Sequence, residues 1–306
     1  MHIHFDNVNF SSRSGPNTFG ARLATVLTER GHEIVGYNDP HDAVLVFIEP
    51  TRQWKRDVKV VQRLDGIWFK PEQFETHNKL IKWTYDNCNE VVWQSKFDQE
   101  MTVHHWGTKQ GKVIGNGIDA DKVAVTNARL RAIRRENEKV FVCSANWHRQ
   151  KRLKENIEAY DVLSKDVEKS CLVVMGSNPD YPSERSDIIY TGNINHNLCL
   201  QVFSMSDAMI HLAWLDHCPN VVVEALSQKC PVICTDSGGT KEIVGKNGLV
   251  IPELHPYNYE LTDYDDPYPI DVSKVSEFDA TKIEIDTKNI CLQKVADEYE
   301  LILSKE

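Results

Sequence analysis

The stretch SRSGPNTFGARLATVLTERGHEIVGY, residues 12–37, decides how this chain folds. It follows HIHFDNV, a short run that reads as a strand. A glycine-bearing loop comes next, then a helix with Phe19, Leu23, Val26 and Leu27 on its apolar face. Gly31 suits the C-terminal cap of that helix, and the next strand follows at once. Strand, helix and strand in this order form a βαβ unit, whose two strands lie parallel in one sheet.

The alternation continues outward. In the first half AVLVFIE, VKVVQRLD, EVVWQS and KVIGN read as further strands, with helices near 72–87 and 96–106. A second series follows the arginine-rich segment ARLRAIRRENEK, residues 128–139, whose arginines read as a solvated helix face. Its strands are VFVCSAN, CLVVMGS, IIYTG, AMIHLA and PVICTD, with helices near 151–165, 196–205 and 220–229. Residues 254–286 are acidic, aromatic and proline-bearing, and read as mostly loop. The fold class expected is therefore α/β, with two Rossmann-like domains whose sheets turn their carboxyl ends towards a central cleft. An unusually small first domain is expected over 1–125, a second over 126–290, and a C-terminal helix over 291–306 packing back towards the first.

Composition narrows the function classes. A hydrophobic content of 41% and a charged content of 26% are ordinary for a globular protein. No apolar run approaches the ~20 residues of a membrane helix, and MHIHFDNVNF lacks the features of a secretory signal. A net charge of −10 argues against a nucleic-acid partner and gives no general attraction to anionic lipid. The eight cysteines form no C-x-x-C pair and mostly sit in apolar stretches, so buried reduced thiols in a cytoplasmic protein are expected.

The chemistry concentrates in AWLDHCPNVVVEALSQKCPVICTDSGGTKEIV, residues 213–244. Pro219 suits the first turn of a helix and Pro231 ends it, so Asp216 lies in the loop feeding the helix and Glu224 one to two turns inside. Backbone N–H groups near 217–221 make an anion or hydroxyl site, and a carboxylate beside them can accept two hydrogen bonds from a vicinal diol. Seen alone, the two acids could equally serve the helix dipole.

Context favours a ligand site. The spacing of Asp216 and Glu224, then Ala225, Pro231, Val232, Gly238, Gly239, Glu242, Asn247 and Gly248, resembles the C-terminal half of family 4 glycosyltransferases of the GT-B fold. SANWHRQKRLKENIEAY resembles the strand, loop and helix that open the family's second domain, and Lys151 matches the lysine that holds the donor diphosphate. Asn146 stands at the family's arginine position, so Arg149 or Arg152 is expected to supply that charge. IIYTGNINHNLCLQVFSMSDAMIHLA resembles the segment whose residues, here Asn193, Ile194 and Asn195, lie beside the nucleobase. IGNGID and the opening glycine loop also match in order.

The resemblance implies transfer of a sugar from a nucleotide-diphospho-sugar to an acceptor hydroxyl, with retention at the anomeric carbon, in glycan or polysaccharide synthesis. Lys151 and Asp216 are the implied catalytic residues. The histidine that many family members carry near the end of the strand VQRLD is not found, and Asp65, at that strand end, is the catalytic candidate there. Donor contacts fall to Glu224 on the ribose, to His217, Cys218, Pro219 and Asn220, and to Gly15, where a backbone can approach a phosphate. Acceptor contacts fall to Asn17, Thr18, Arg63 and Asp65, with Trp54, Trp68, Phe69 and Trp83 as candidate stacking surfaces. No cofactor or metal is expected, and DYDD at 263–266 reads as a polar loop. The partners expected are the donor and a glycan or other hydroxyl acceptor, with membrane-surface contact left open. A catalytically silent sugar-nucleotide module, a subunit of a glycan-building complex, and a nucleotide-sugar epimerase are the alternative readings.

Overall fold

The computed structural model describes residues 1–12, 14–54, 57–119 and 121–304. The chain forms two compact units, each with a six-stranded sheet whose strands all run parallel. Unit 1 comprises Met1–Asp119, Asn258–Asp263 and Lys288–Glu306; unit 2 comprises Ala120–Tyr257 and Tyr264–Thr287.

In unit 1 the strands are β1 (His2–Asp6), β2 (Glu33–Val35), β3 (Ala43–Phe47), β4 (Lys59–Leu64), β5 (Glu90–Trp93) and β6 (Gly111–Val113). Their order in the sheet is β2-β1-β3-β4-β5-β6. Every residue of β3 is buried, as expected for an inner parallel strand covered on both faces. The helix Gly15–Glu29 lays Phe19, Leu23, Val26 and Leu27 on this sheet. The C-terminal helix Leu292–Leu303 joins the same core through Leu292, Val295, Ala296, Tyr299, Ile302 and Leu303. Arg30 ties the two helices together by ion pairs to Asp297 (2.7 Å) and Glu300 (2.8 Å).

In unit 2 the strands are β7 (Lys139–Ser144), β8 (Ser170–Met175), β9 (Ile188–Gly192), β10 (Ala208–His211), β11 (Val232–Thr235) and β12 (Gly248–Ile251). They lie in the order β12-β11-β10-β7-β8-β9, so the direction of winding reverses between β7 and β10. The carboxyl ends of two strands at such a reversal leave a crevice in which ligands bind.

The chain enters unit 2 ahead of residue 125 because glutamine side chains hold the linking segment there. Gln228 accepts from the Val123 N–H (2.8 Å), and Gln201 accepts from the N–H groups of Thr126 (2.9 Å) and Asn127 (3.0 Å). Residues 254–286 carry two 3₁₀ turns, Val272–Glu277 and Ala280–Lys282, the first burying Val275 in the unit 2 core. All eight cysteines carry free thiols. Burial pushes those of Cys88 and Cys171 up to about 11 and that of Cys199 up to about 12.

Candidate functional site

The loops after β7 and β10 meet at the reversal in unit 2. Gln150 fastens them twice: its carbonyl accepts from the Trp214 N–H and its Nε2 donates to the Trp214 carbonyl, each at 2.9 Å. Asn156, buried in the helix Leu153–Ser164, crosses the same gap. It donates to the carbonyls of Lys151 (3.0 Å) and Arg152 (2.7 Å) and accepts from the Leu212 N–H (3.3 Å). The post-β7 loop is anchored on its other side by Trp147, whose Nε1 donates to the Met175 carbonyl at 3.0 Å.

This fastening brings Lys151 to Asp216, with Nζ 2.6 Å from Oδ2. The same oxygen lies 3.3 Å from Nε2 of His211, a buried residue that ends β10. Burial alone would raise the Asp216 carboxyl; the Lys151 charge and the His211 hydrogen bond overcome it and hold the group well below the usual carboxylate range. Half-buried His148, which precedes the 3₁₀ turn Arg149–Lys151, is pushed down by its burial and by the Lys151 charge.

The backbone that presents Asp216 is unusual on both sides. Leu215 holds a left-handed φ of +53°, and its N–H donates to Ser237 Oγ at 3.4 Å. Gly238, with φ +67°, lets the loop after β11 lie directly on Asp216; a Cβ there would stand 2.5 Å from the Asp216 carbonyl oxygen. The Gly239 N–H donates to that carbonyl at 2.8 Å. Sequence order flagged these two glycines, and their contact with Asp216 gives the pattern a structural cause.

Helix Asn220–Ser227 then carries Glu224, which is buried with Oε1 3.6 Å from His196 Nδ1. Residues 216–220 form the turn into this helix: Cys218 and Pro219 are buried, Pro219 is its N-cap, and His217 and Asn220 are partly exposed. Ser227 and Gln228 also face polar neighbours, but those contacts fix Glu224's own helix and the entry segment.

The two arginine candidates separate. Arg152 is fully buried and forked onto Glu253 at 2.6 and 3.0 Å, with further bonds to the carbonyls of Tyr268 and Leu212. That commitment removes Arg152 as a cation for a phosphate. Arg149 is exposed and lies only 3.6 Å from Asp266. Asn146 is exposed and accepts from Ser177 Oγ at 2.9 Å. Asn193 is exposed, Ile194 partly so, and Asn195 caps the helix His196–Met205 by accepting from the Leu198 N–H at 2.9 Å.

In unit 1 the winding reverses between β1 and β3, and the same kind of joint appears. Buried Asp6 accepts from the N–H (3.1 Å) and hydroxyl of Thr51, and Asn7 Nδ2 donates to the Phe47 carbonyl at 2.9 Å. Gly15 is the first residue of its helix, Asn17 accepts from the Asn9 N–H (2.7 Å), and the Thr18 N–H donates to the Ser14 carbonyl (2.9 Å). Arg63 is fully buried at the end of β4 over the rings of Phe19 and Phe47. Its guanidinium pairs with Asp65 and donates to Asn116 Oδ1 at 2.8 Å, so its charge is committed inside unit 1. Phe69 is buried; the rings of Trp54 and Trp83 meet tilted, with centroids 4.8 Å apart, and Trp68 and Trp83 are exposed. Of the DYDD run, Asp263 pairs with Lys70 at 2.9 Å within unit 1. Among the described residues no group of three His, Cys, Asp or Glu side chains is placed to hold a metal, and no helix is long and apolar enough to cross a membrane.

Asp6, Asn156, His196 and His211 escaped the sequence reading. Asp6 and His211 each end a strand on the side of a winding reversal, a signal that strand order would have supplied but a linear reading does not.

The family model for glycosyl transferases group 1 matches residues 126–256, the segment that holds Lys151, Asp216 and Glu224. TuaC of Bacillus subtilis (strain 168), assigned as a teichuronic acid biosynthesis glycosyltransferase, is 30% identical over 99 residues. That match spans 32% of this chain and only 25% of the relative's length. Anabaena HepE in complex with UDP superposes with a TM-score of 0.69 at 16% identity, covering 99% of both chains. Sucrose-phosphate synthase from Thermosynechococcus elongatus gives 0.67 at 14% identity, covering 99% of this chain and 96% of that one. WaaG, a glycosyltransferase involved in lipopolysaccharide biosynthesis, gives 0.62 at 15% identity, covering 98% and 92%. These likenesses, with two parallel-sheet Rossmann-like units in one chain, establish the GT-B fold class.

Proposed function

We propose that this chain is a group 1 glycosyltransferase of family 4 type, moving a sugar from a nucleotide-diphospho-sugar to an acceptor hydroxyl in glycan or polysaccharide synthesis in the cytoplasm. The observation that carries this reading is the Lys151–Asp216 pair at the winding reversal of unit 2, with buried Glu224 in the next helix, all inside the matched segment. The bond from the anomeric carbon to the diphosphate oxygen breaks as the bond to the acceptor oxygen forms, and the acceptor proton passes to the leaving phosphate. This course retains the anomeric configuration and needs no dedicated base. Charge builds on the diphosphate, so Lys151 and Arg149 carry most of the stabilisation, a task assigned here to side chains and not to a metal. Glu224 takes the ribose, the 193–195 turn lies by the base, and Asp216 with the 217–220 turn orients the sugar. Asp65, held by Arg63, together with Asn17 and Thr18, belongs to acceptor recognition in unit 1. HepE binding UDP supports a nucleotide donor by analogy of fold.

The test is a thermal-shift screen with UDP, GDP, ADP and their glucose esters. One nucleotide at ~100 times its Kd should stabilise the protein by about 2.7 kcal/mol. Glu224→Ala should abolish that shift, and Lys151→Ala should lower turnover of the matching sugar ester by about 100- to 1000-fold. Absence of stabilisation by every nucleotide overturns the reading. Tight binding without sugar transfer would instead identify a binding module.

A further inference from the structure

We propose that His211 is a positioning residue that turns Asp216 towards the donor sugar and keeps its carboxylate compensated when Lys151 is shared with the diphosphate. This rests on the donor-site reading above and adds a residue that the reading does not use.

The geometry at Asp216 is asymmetric. Lys151 Nζ at 2.6 Å and His211 Nε2 at 3.3 Å both approach Oδ2. Oδ1 receives no hydrogen bond among the described residues, although the side chain is 17% exposed. Both donors share one oxygen, which leaves the lone pairs of the other to accept from a sugar hydroxyl.

A partly buried carboxylate with a single cation faces a conflict when that cation is also needed elsewhere. A diphosphate draws on the same lysine, and a carboxylate left without donors loses heavily to desolvation. His211 answers this by supplying a second N–H on the same oxygen. Its place is otherwise unexplained, because the remaining residues of β10, Ala208, Met209 and Ile210, are apolar and buried. Other groups in the neighbourhood are already committed. Arg152, which bonds the Leu212 carbonyl, is forked onto Glu253; His148 feels Lys151 and Asp216; and Cys234, in register with His211 on β11, has its thiol pushed up by burial.

The experiment compares binding of UDP, GDP or ADP, whichever stabilises the wild type, with binding of its glucose ester by calorimetry. His211→Leu should weaken the sugar ester by about tenfold, which corresponds to 1.4 kcal/mol, and leave the bare nucleotide unchanged. His211→Gln puts an N–H near the lost Nε2 and should restore the sugar ester to near the wild-type value. Asp216→Asn with His211→Leu should bind the ester no worse than Asp216→Asn alone, because His211 acts through that carboxylate. Equal weakening of nucleotide and ester, no weakening of either, failure of the Gln variant to rescue, or additive losses in the double variant would each overturn the assignment. Where His211→Leu does not fold, the Gln variant and the cycle repeated with His211→Asn decide. If the wild type binds no nucleotide, the donor-site reading falls first and this assignment with it. If it binds both ligands and His211→Leu changes neither, only this assignment falls.

Discussion

Arg149 and Arg152 lie three residues apart in one loop, yet their surroundings give them different roles. Arg152 adopts a left-handed φ of +54°, which turns its side chain inward onto Glu253. Arg152→Ala would strand the Glu253 carboxylate in the interior, and such a loss costs about 3–5 kcal/mol. Arg149 is 73% exposed and its contact with Asp266 is long, so Arg149→Ala should leave stability within about 0.5 kcal/mol. On the proposed function that same change should weaken donor binding by about tenfold or more, the worth of one charge-assisted contact to phosphate. Denaturant titration and nucleotide calorimetry on the two variants separate these effects. The reverse pattern, with Arg152→Ala stable and donor binding lost, would return Arg152 to the site. Sequence alone could not divide the pair. Both follow the same strand at plausible spacing, and the partner that decides, Glu253, is 101 residues away.

At the level of elements, the inner strands were readable because parallel strands buried on both faces leave continuous apolar runs. AVLVF and CLVVM are of this kind and are buried throughout in β3 and β8, whereas β4 also buries Gln62 and Arg63. The edge strand β12 was less readable as a strand, since only Ile251 of its four residues is buried. The expected helix over 72–87 is two helices, Pro71–His77 and Lys79–Asn87, because Asn78 turns its side chain to the Trp68 backbone and interrupts the run. The site depends on loops between elements, where local pattern is silent and long-range contacts decide. Gly238 shows the difference. A Cβ there would stand 2.5 Å from the Asp216 carbonyl oxygen and 2.8 Å from its nitrogen, on a φ of +67°. Gly238→Ala should therefore destabilise by more than about 1 kcal/mol and weaken donor binding, because Asp216 must move. Gly31 has a φ of +86° with open space around its Cβ position. Gly31→Ala should cost about 1–2 kcal/mol through backbone conformation alone and leave donor binding intact. Equal donor affinity in the two variants would detach Gly238 from the site.

For the whole molecule, the telling feature is that unit 1 is assembled from distant parts of the chain. Its first 119 residues supply the sheet, and Lys288–Glu306 returns to close the core. The amphipathic spacing of LQKVADEYELIL was legible and a return towards the first domain was expected, but periodicity identifies an apolar face without naming the side chains it covers. The destination is the core formed with Phe19, Leu23 and Leu27. That destination makes stability in unit 1 depend on residues beyond the end of unit 2. Leu303 is fully buried against the unit 1 core, so Leu303→Ala removes a core side chain and should destabilise by about 2–5 kcal/mol. The loss should be local to unit 1. Amide exchange followed by mass spectrometry would show faster exchange in β1, β3 and β4, with β7, β10 and β11 keeping their wild-type protection. The helix touches β3 and β4 and packs along Gly15–Glu29, so those elements should loosen together. Equal acceleration in both sheets would mean that the units unfold as one cooperative block. Unchanged exchange throughout would mean that the C-terminal helix decorates unit 1 without supporting it.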